Sequence, residues 1–503
     1  MAKFCKLEDS NLKVLRKIDP RLMSYNIEMT EVTGGTFWKA YTPEEIAGTA
    51  VFKGVDAFLD YTAMEELMQY YPPIDLTNRR LRKLAKELGT AWVRVSGSWA
   101  TETYYDFDGH TDGKAPEGYQ NVLTRKQWIG LLDFVKEIDG KLLISLANCE
   151  GLHRANEPWN PSQAEQIFAL SKEYGVPINA VEFVNEPNPM DMSGLPKGYT
   201  PSDYVRDHDL FCAWVRQNYP DTVLVGPCST RGGIRVGPPN AEYASGNEEV
   251  VGCRTEQLLD GAKEPLDVFS YHFYNGGSER LDSAMPGSHW QPEQAHTEDY
   301  LNAASLSAAG VTALRDKYVP NGQMWVTEAG DACGGGNTWA STYLDVLRTL
   351  NELGSFATVT DGIIFHNTLA SSDYGFLKHG SFEPRPNYFA VLLWNRLMGT
   401  TVYESGIPVQ EGMHVYAHSR KDGANGIAYL IINNSLTETT TVELPKAAEV
   451  YTLSAKNIRD SVMLLNGNML VLGEDDVLPE LKPIHIQAGK LELGPAPCTF
   501  IVL

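Results

Sequence analysis

From about residue 20 the chain alternates short continuous apolar runs with longer stretches in which apolar residues recur at helical spacing. The apolar runs at 22–28, 91–97, 142–147, 180–185, 222–226, 266–271, 323–327 and 361–366 predict eight strands. Helical spacing predicts helices over 78–88, 125–138, 161–174, 201–218, 301–317, 340–353 and 386–398. Eight β/α units in succession predict an α/β fold with a closed (β/α)8 barrel over 20–399, although a doubly wound open sheet alternates in the same way. After residue 400 the rhythm changes to short strand-like runs broken by Gly, Asn and Pro, which predicts a β-sandwich over 400–503. Residues 1–19 precede the first barrel strand, and their apolar run Leu12-Lys13-Val14-Leu15 is expected to join that sandwich.

Two of the predicted strands end in carboxylates. Val184-Asn185-Glu186-Pro187 closes the fourth and Trp325-Val326-Thr327-Glu328 the seventh. On a barrel both would emerge at the C-terminal face, where such folds carry their chemistry. Two carboxyl groups there are the minimal equipment for cleaving a glycosidic bond with retention, one protonating the leaving oxygen and one attacking the anomeric carbon. Glu186 suits the acid, because apolar residues precede it and Pro187 fixes the turn that follows. Asn185 beside it is placed to donate to a sugar 2-hydroxyl. Glu328 suits the nucleophile, and Tyr274, just past the sixth strand, is placed to donate to it. Singly, each motif reads as well as a turn or a helix start; the pairing at strand ends is what points to hydrolysis.

Composition narrows the partners. A net charge of −22 argues against nucleic acid, which needs clustered Lys and Arg, and disfavours capture of a long sulfated chain. The one dense basic run, Arg79 to Lys86, has the spacing of a solvated helix face. No run reaches the ~18 apolar residues of a membrane span, so no membrane partner is expected. The first residues show no export signal, and seven scattered cysteines without a CxxC pair suit free thiols, so a cytoplasmic location is expected. His272 and His366 lie near strand ends, but with no HExxH motif they read as polar lining, and neither metal nor cofactor is expected. Trp99, Trp159, Trp290 and Trp339 are candidate stacking walls or ordinary core. Oligomeric state is not written in the pattern.

Five residues after Glu328 comes Cys333-Gly334-Gly335-Gly336-Asn337. Successive glycines let backbone N–H groups converge on one anion. Beside a sugar at the cleavage site that anion would be a C6 carboxylate, which makes the substrate a uronic acid. The same residues also read as a loop opening a helix at Thr338.

These residues resemble the heparanase and β-glucuronidase group, glycoside hydrolase family 79. The likeness includes Tyr25-Asn26-Ile27-Glu28, Val93-Arg94-Val95-Ser96-Gly97, Asn185-Glu186-Pro187 and Tyr271-His272-Phe273-Tyr274. It continues through Thr327-Glu328, Ala332 to Gly336, Asp373 to Leu377, and Pro386 to Phe389. It extends into the C-terminal stretch from Ser461. The resemblance implies a (β/α)8 barrel with a β-sandwich built from both chain ends, Glu186 as acid/base and Glu328 as nucleophile. It further implies backbone amides of Gly334 and Gly335 on a glucuronate carboxylate, Tyr374 at the same place, and Glu28 on sugar hydroxyls. One departure is Cys333, where heparanase-type members carry tyrosine. The expected activity is an exo-acting β-glucuronidase on small glucuronides or oligosaccharide ends. An endo-acting heparanase-like enzyme, a neutral-sugar glycosidase and a non-catalytic carbohydrate binder stay open beside it.

Overall fold

A computed structural model describes residues 3–54, 66–230, 237–238, 252–282 and 287–503. Eight strands close a parallel barrel in chain order: Met23–Glu28, Trp92–Ser96, Lys141–Ser145, Ala180–Glu182, Val223–Ser229, Val268–Gly277, Gln323–Cys333 and Ile364–His366. The eighth strand pairs with the first, so the open-sheet alternative falls away. The sixth and seventh strands run well past their apolar cores, to Gly277 and Cys333, and carry the chain beyond the barrel rim side by side.

Strand alternation explains how one sequence builds both a sealed floor and a polar mouth. In the second strand Trp92 points inward, Val93 outward to the helices, and Arg94 inward again. The third and fourth strands repeat this with Leu143 then Ser145, and Ala180 then Glu182. Trp92, Leu143, Ala180, Val225, Val268, Trp325, Ile363 and Phe365 thus form an apolar plug at the N-terminal end. Trp325 stacks near Trp92 and Phe365 with ring centroids 5.0 and 5.9 Å away. The next inward layer is polar and belongs to the site.

The helices start where the sequence caps them. Thr124 and Thr200 bond the third backbone N–H of the helices Arg125–Glu137 and Pro201–Asn218, and Pro201 occupies the first helical position. Arg79–Glu87 buries Leu81, Leu84 and Ala85, and its charges stay outside, with Arg80 on Asp476 and Lys86 on Glu137. The basic run is therefore a surface face. Tyr343–Val359 begins later than the sequence predicts because the loop after the seventh strand continues through Thr342. This helix is buried from Tyr343 to Ala357, pressed between the barrel and the second module.

That module is a β-sandwich. Its larger sheet runs in the order Val14–Lys17, Met398–Tyr403, His414–Arg420, Ile427–Ile432, Cys498–Val502 and Ala448–Ser454, with short outer pairs beyond. The smaller sheet pairs Thr440–Leu444 with both Lys3–Lys6 and Gly489–Leu493. The chain start therefore supplies a strand to each sheet. Ile427–Ile432 is apolar throughout because both faces are covered: Ile427, Tyr429 and Ile431 pack inside the sandwich, while Ala428, Leu430 and Ile432 pack against the barrel layer. Among the described residues no helix is long and apolar enough to cross a membrane.

Candidate active site

The two glutamates reach the cleft by different backbone devices. After Glu182 the chain passes the buried Phe183 and Val184 and turns at Asn185 and Glu186. Glu186 sits at φ 44°, a left-handed conformation that costs a non-glycine residue on the order of 1–3 kcal/mol unless its surroundings hold it there. They do: Ser193 Oγ donates to the Glu186 carbonyl, and the Asn188 side chain ties the turn to Cys253, Ser229 and Thr230. The seventh strand uses a bulge. Val326 pairs opposite Tyr271 but Glu328 opposite His272, so Thr327 is the extra residue. Simple alternation from the inward Trp325 would turn Glu328 outward. The bulge restores it to the inside of the barrel.

Arg94, fully buried, organises what they meet. Its Nε donates to Glu182 Oε2 at 2.9 Å, Nη1 to Glu328 Oε1 at 3.0 Å and Nη2 to Asn185 Oδ1 at 2.8 Å. Ser96 Oγ also donates to Asn185 Oδ1, at 3.2 Å. With its carbonyl so engaged, Asn185 keeps its NH2 as the group free to donate. Arg94 Nη2 lies 3.3 Å from His272 Nε2. A guanidinium can only donate, so that nitrogen presents its lone pair and the ring proton sits on Nδ1. Nδ1 lies 2.7 Å from Glu186 Oε1 and 3.6 Å from Glu328 Oε2. His272 therefore donates to Oε1 of Glu186.

Glu328 receives a third group. Tyr274 donates to its Oε2 at 2.7 Å, and Asn367 donates to the Tyr274 hydroxyl at 3.0 Å. Burial alone would raise the Glu328 carboxyl; the Nδ1–H edge of His272, the Arg94 charge and the hydrogen bonds from Tyr274 and Arg94 outweigh it and hold it below the ordinary glutamate value. Glu28 goes the other way. Burial, and then the neighbouring Glu328 charge, push it well above the usual range, so it keeps a proton and becomes a donor. Among the described residues its Oε2 has no hydrogen-bond partner. A Cβ on Gly97 (φ 89°) would overlap that oxygen, so only glycine fits there.

The glycine loop has a defined polarity. Ser278 N–H donates to the Cys333 carbonyl at 2.9 Å and Ser278 Oγ to the Gly334 carbonyl at 3.1 Å. In a trans peptide the N–H points opposite to the C=O. The amides of Gly334 and Gly335 therefore both point away from Ser278, and neither has a partner among the described residues. All three glycines have φ between 86° and 89°. Cys333 lies at the end of the seventh strand; burial, with the Glu186 and Glu328 charges contributing, pushes its thiol up to about 12, so it stays protonated and unreactive. Tyr374 lies beside Tyr274: its hydroxyl accepts from Asn367 at 3.1 Å and its ring lies 6.5 Å from that of Tyr274.

Hydrogen bonds and charges thus link Glu28, Asn185, Glu186, Tyr274, Glu328 and Tyr374 into one cluster at the C-terminal end of the barrel, and the Cys333, Gly334 and Gly335 loop continues from the seventh strand that carries Glu328. Three expectations change. Trp159, Trp290 and Trp339 are at most 5% exposed and are core, since the loops that carry them fold back onto the helices; Trp99 alone stays half-buried, edge-on to Phe37. His366 does not line the cleft. It bonds the Tyr374 carbonyl at 2.7 Å and stacks on Phe376 at 3.9 Å. Thr338 opens no helix. Glu186, His272 and Glu328 bring ligand-type atoms within 4.8 Å of one another, but Arg94 already supplies the positive charge there, 3.0 Å from Glu328, which ill suits a cation. Sequence reasoning missed Arg94, Glu182 and Asn367 as site residues. The available signal was Arg94, a charged residue at the centre of an apolar strand.

No family model matches the chain. Heparanase-like protein 1 of Arabidopsis thaliana is 25% identical over 484 residues, covering 86% of this chain and 85% of that protein. The chain is a relative of the heparanase and β-glucuronidase group of family 79. Baicalin-β-D-glucuronidase of Scutellaria baicalensis is 29% identical over 257 residues, 49% of this chain and 47% of that protein. A 4-O-α-L-rhamnosyl-β-D-glucuronidase from Fusarium oxysporum shares the fold along 99% of this chain and 100% of its own, with a TM-score of 0.62 at 12% identity.

Proposed function

We propose that this protein is a retaining exo-β-glucuronidase, with Glu186 as general acid/base and Glu328 as nucleophile. The observation that carries the proposal is the spacing of the pair: one oxygen of Glu186 and one of Glu328 lie within 4.8 Å. Retention calls for carboxyl groups ~5–5.5 Å apart, whereas inversion needs ~6.5–9.5 Å to admit a water. Glu328, kept ionised by Arg94 and Tyr274, attacks the anomeric carbon. Glu186 gives its proton to the leaving oxygen, and the aglycone departs from a glycosyl–Glu328 ester. Glu186, now a carboxylate steadied by His272, takes a proton from water, which attacks the ester and frees Glu328. Asn185 donates to the 2-hydroxyl, and Glu28 and Tyr374 meet the remaining hydroxyls and the carboxylate.

Glucuronate is favoured over neutral sugars by the paired free amides of Gly334 and Gly335. Exo action is favoured by the −22 charge and by a basic helix that turns Arg80 and Lys86 to surface carboxylates. Seven free cysteines suit a reducing, cytoplasmic setting. Hydrolysis of 4-nitrophenyl β-D-glucuronide, β-D-glucoside and β-D-xyloside tests the reading. A clear preference for the glucuronide is expected; preference for either neutral glycoside refutes it, and no hydrolysis of any glycoside would leave a binding protein.

A further inference from the structure

We infer that Arg280, outside the reacting groups, is the positioning residue that sets selectivity for a carboxylate-bearing sugar. The inference rests on the glucuronide reading above and names the part of the molecule that presets it. Arg280 follows the sixth strand in a short turn, Glu279–Leu281, and is 2% exposed. Its Nη1 donates to the carbonyls of Gly334 at 3.2 Å and Gly336 at 2.8 Å. Its Nη2 donates to the Lys39 carbonyl at 2.5 Å and to Asp373 Oδ2 at 2.8 Å. The guanidinium lies 3.6 Å from the centre of the Tyr41 ring, and the Tyr41 hydroxyl donates to the Gly336 carbonyl at 3.0 Å. One side chain therefore joins the loops after the first, sixth, seventh and eighth strands, the last through Asp373, the neighbour of Tyr374.

The consequence lies in what remains free. Ser278, Arg280, Tyr41 and the Asp373 N–H take every carbonyl from Cys333 to Gly336. With the carbonyls fixed on one side, trans peptide geometry fixes the Gly334 and Gly335 amides on the other. Three glycines with positive φ would otherwise be among the least constrained residues of the chain. Arg280 converts them into a preorganised pair of donors, so an incoming carboxylate does not have to order the loop itself. A lysine cannot substitute: its donors radiate from one atom, whereas the planar fork reaches four acceptors in two directions.

The test compares kcat and KM for 4-nitrophenyl β-D-glucuronide and β-D-glucoside in the wild type, Arg280→Met, Arg280→Lys and Ser278→Ala. For both Arg280 variants we expect KM for the glucuronide to rise about 10–100-fold, the scale of lost hydrogen bonds to a charged group. The glucoside constants should stay near wild type, so the glucuronide-to-glucoside ratio collapses. A merely structural role would lower kcat for both substrates together and leave the ratio unchanged, which would overturn the inference. Should Arg280→Met not fold because Asp373 is left buried and unpaired, Arg280→Lys decides: it keeps a cation beside Asp373 and loses the fork, and an unaltered ratio there overturns the inference. Ser278→Ala leaves Arg280 on the Gly334 carbonyl and should lower the ratio less than either Arg280 variant; a larger fall would also overturn the inference. Failure of the underlying reading is distinct: it shows as a wild type with no preference for the glucuronide.

Discussion

Arg94→Met separates the structural from the chemical use of one buried charge. The guanidinium pairs with Glu182, whose side chain is fully buried, and with Glu328, 8% exposed. In its absence Glu182 keeps the Ser145 hydroxyl, on the same oxygen that Arg94 held, and its charge has no cation partner left among the described residues. Removing one side of a buried ion pair costs about 3–5 kcal/mol. At about 2.1 cal/mol/K of unfolding entropy per residue over 503 residues, a loss of that size lowers the melting temperature by roughly 3–5 °C. Activity falls further. Asn185 loses its stronger anchor, His272 loses the contact that sets its tautomer, and Glu328 keeps only Tyr274 and His272. At about 1.5–3 kcal/mol for each charged hydrogen bond, kcat/KM on an aryl β-glucuronide should drop on the order of 100–1,000-fold. Adding Glu182→Gln should restore much of the melting temperature, because the stranded charge is gone, and none of the turnover. Scanning calorimetry alongside initial rates reads both. Near-normal turnover in Arg94→Met, or a double variant no more stable than the single one, would refute this account of the network.

Glu186→Gln should lose far more kcat/KM with alkyl β-glucuronides than with 2,4-dinitrophenyl β-glucuronide, whose leaving group needs little protonation; equal losses on both would remove Glu186 from the acid role. Tyr274→Phe takes a hydrogen bond from Glu328, so the Glu328 carboxyl rises and the acid-side limb of the kcat/KM profile should move toward neutral pH. An unmoved limb would contradict the geometry. Stability should fall as pH rises from about 4.5 to 7. Burial pushes Glu31, Asp331 and Glu352 up to about 7, so across that window the folded chain binds protons that the unfolded chain has released. Glu328 acts in the opposite sense, stabilising above its ordinary value of 4.5 and losing that contribution in more acid solution. The melting temperature should therefore be higher at pH 5 than at pH 8; the reverse order would mean these buried acids ionise without penalty.

The barrel was legible because each strand is an apolar run covered on both faces, and all eight predicted runs overlap the observed strands. The carboxylates were legible because strand ends are where a barrel opens. What joins them was not. Arg94 and Glu182 sit in strands that read as core, and only closure of the barrel brings the second, fourth and seventh strands to one point. The bulge at Thr327 leaves no sign in the sequence, although it alone decides which way Glu328 faces. The tryptophans stayed undecided because a large aromatic in a loop suits a sugar platform or a helix-packing wedge equally well. The glycine run spelled a nest without its direction, which depends on Ser278 and Arg280 from the turn after the sixth strand.

The most direct test follows the anomeric proton by NMR while the enzyme hydrolyses an aryl β-D-glucuronide. Two carboxylates this close predict β-glucuronate as the first product, with the α anomer appearing only later by mutarotation. If α-glucuronate forms first, a water sits where Glu328 is held to attack, and the mechanism proposed for the pair is wrong.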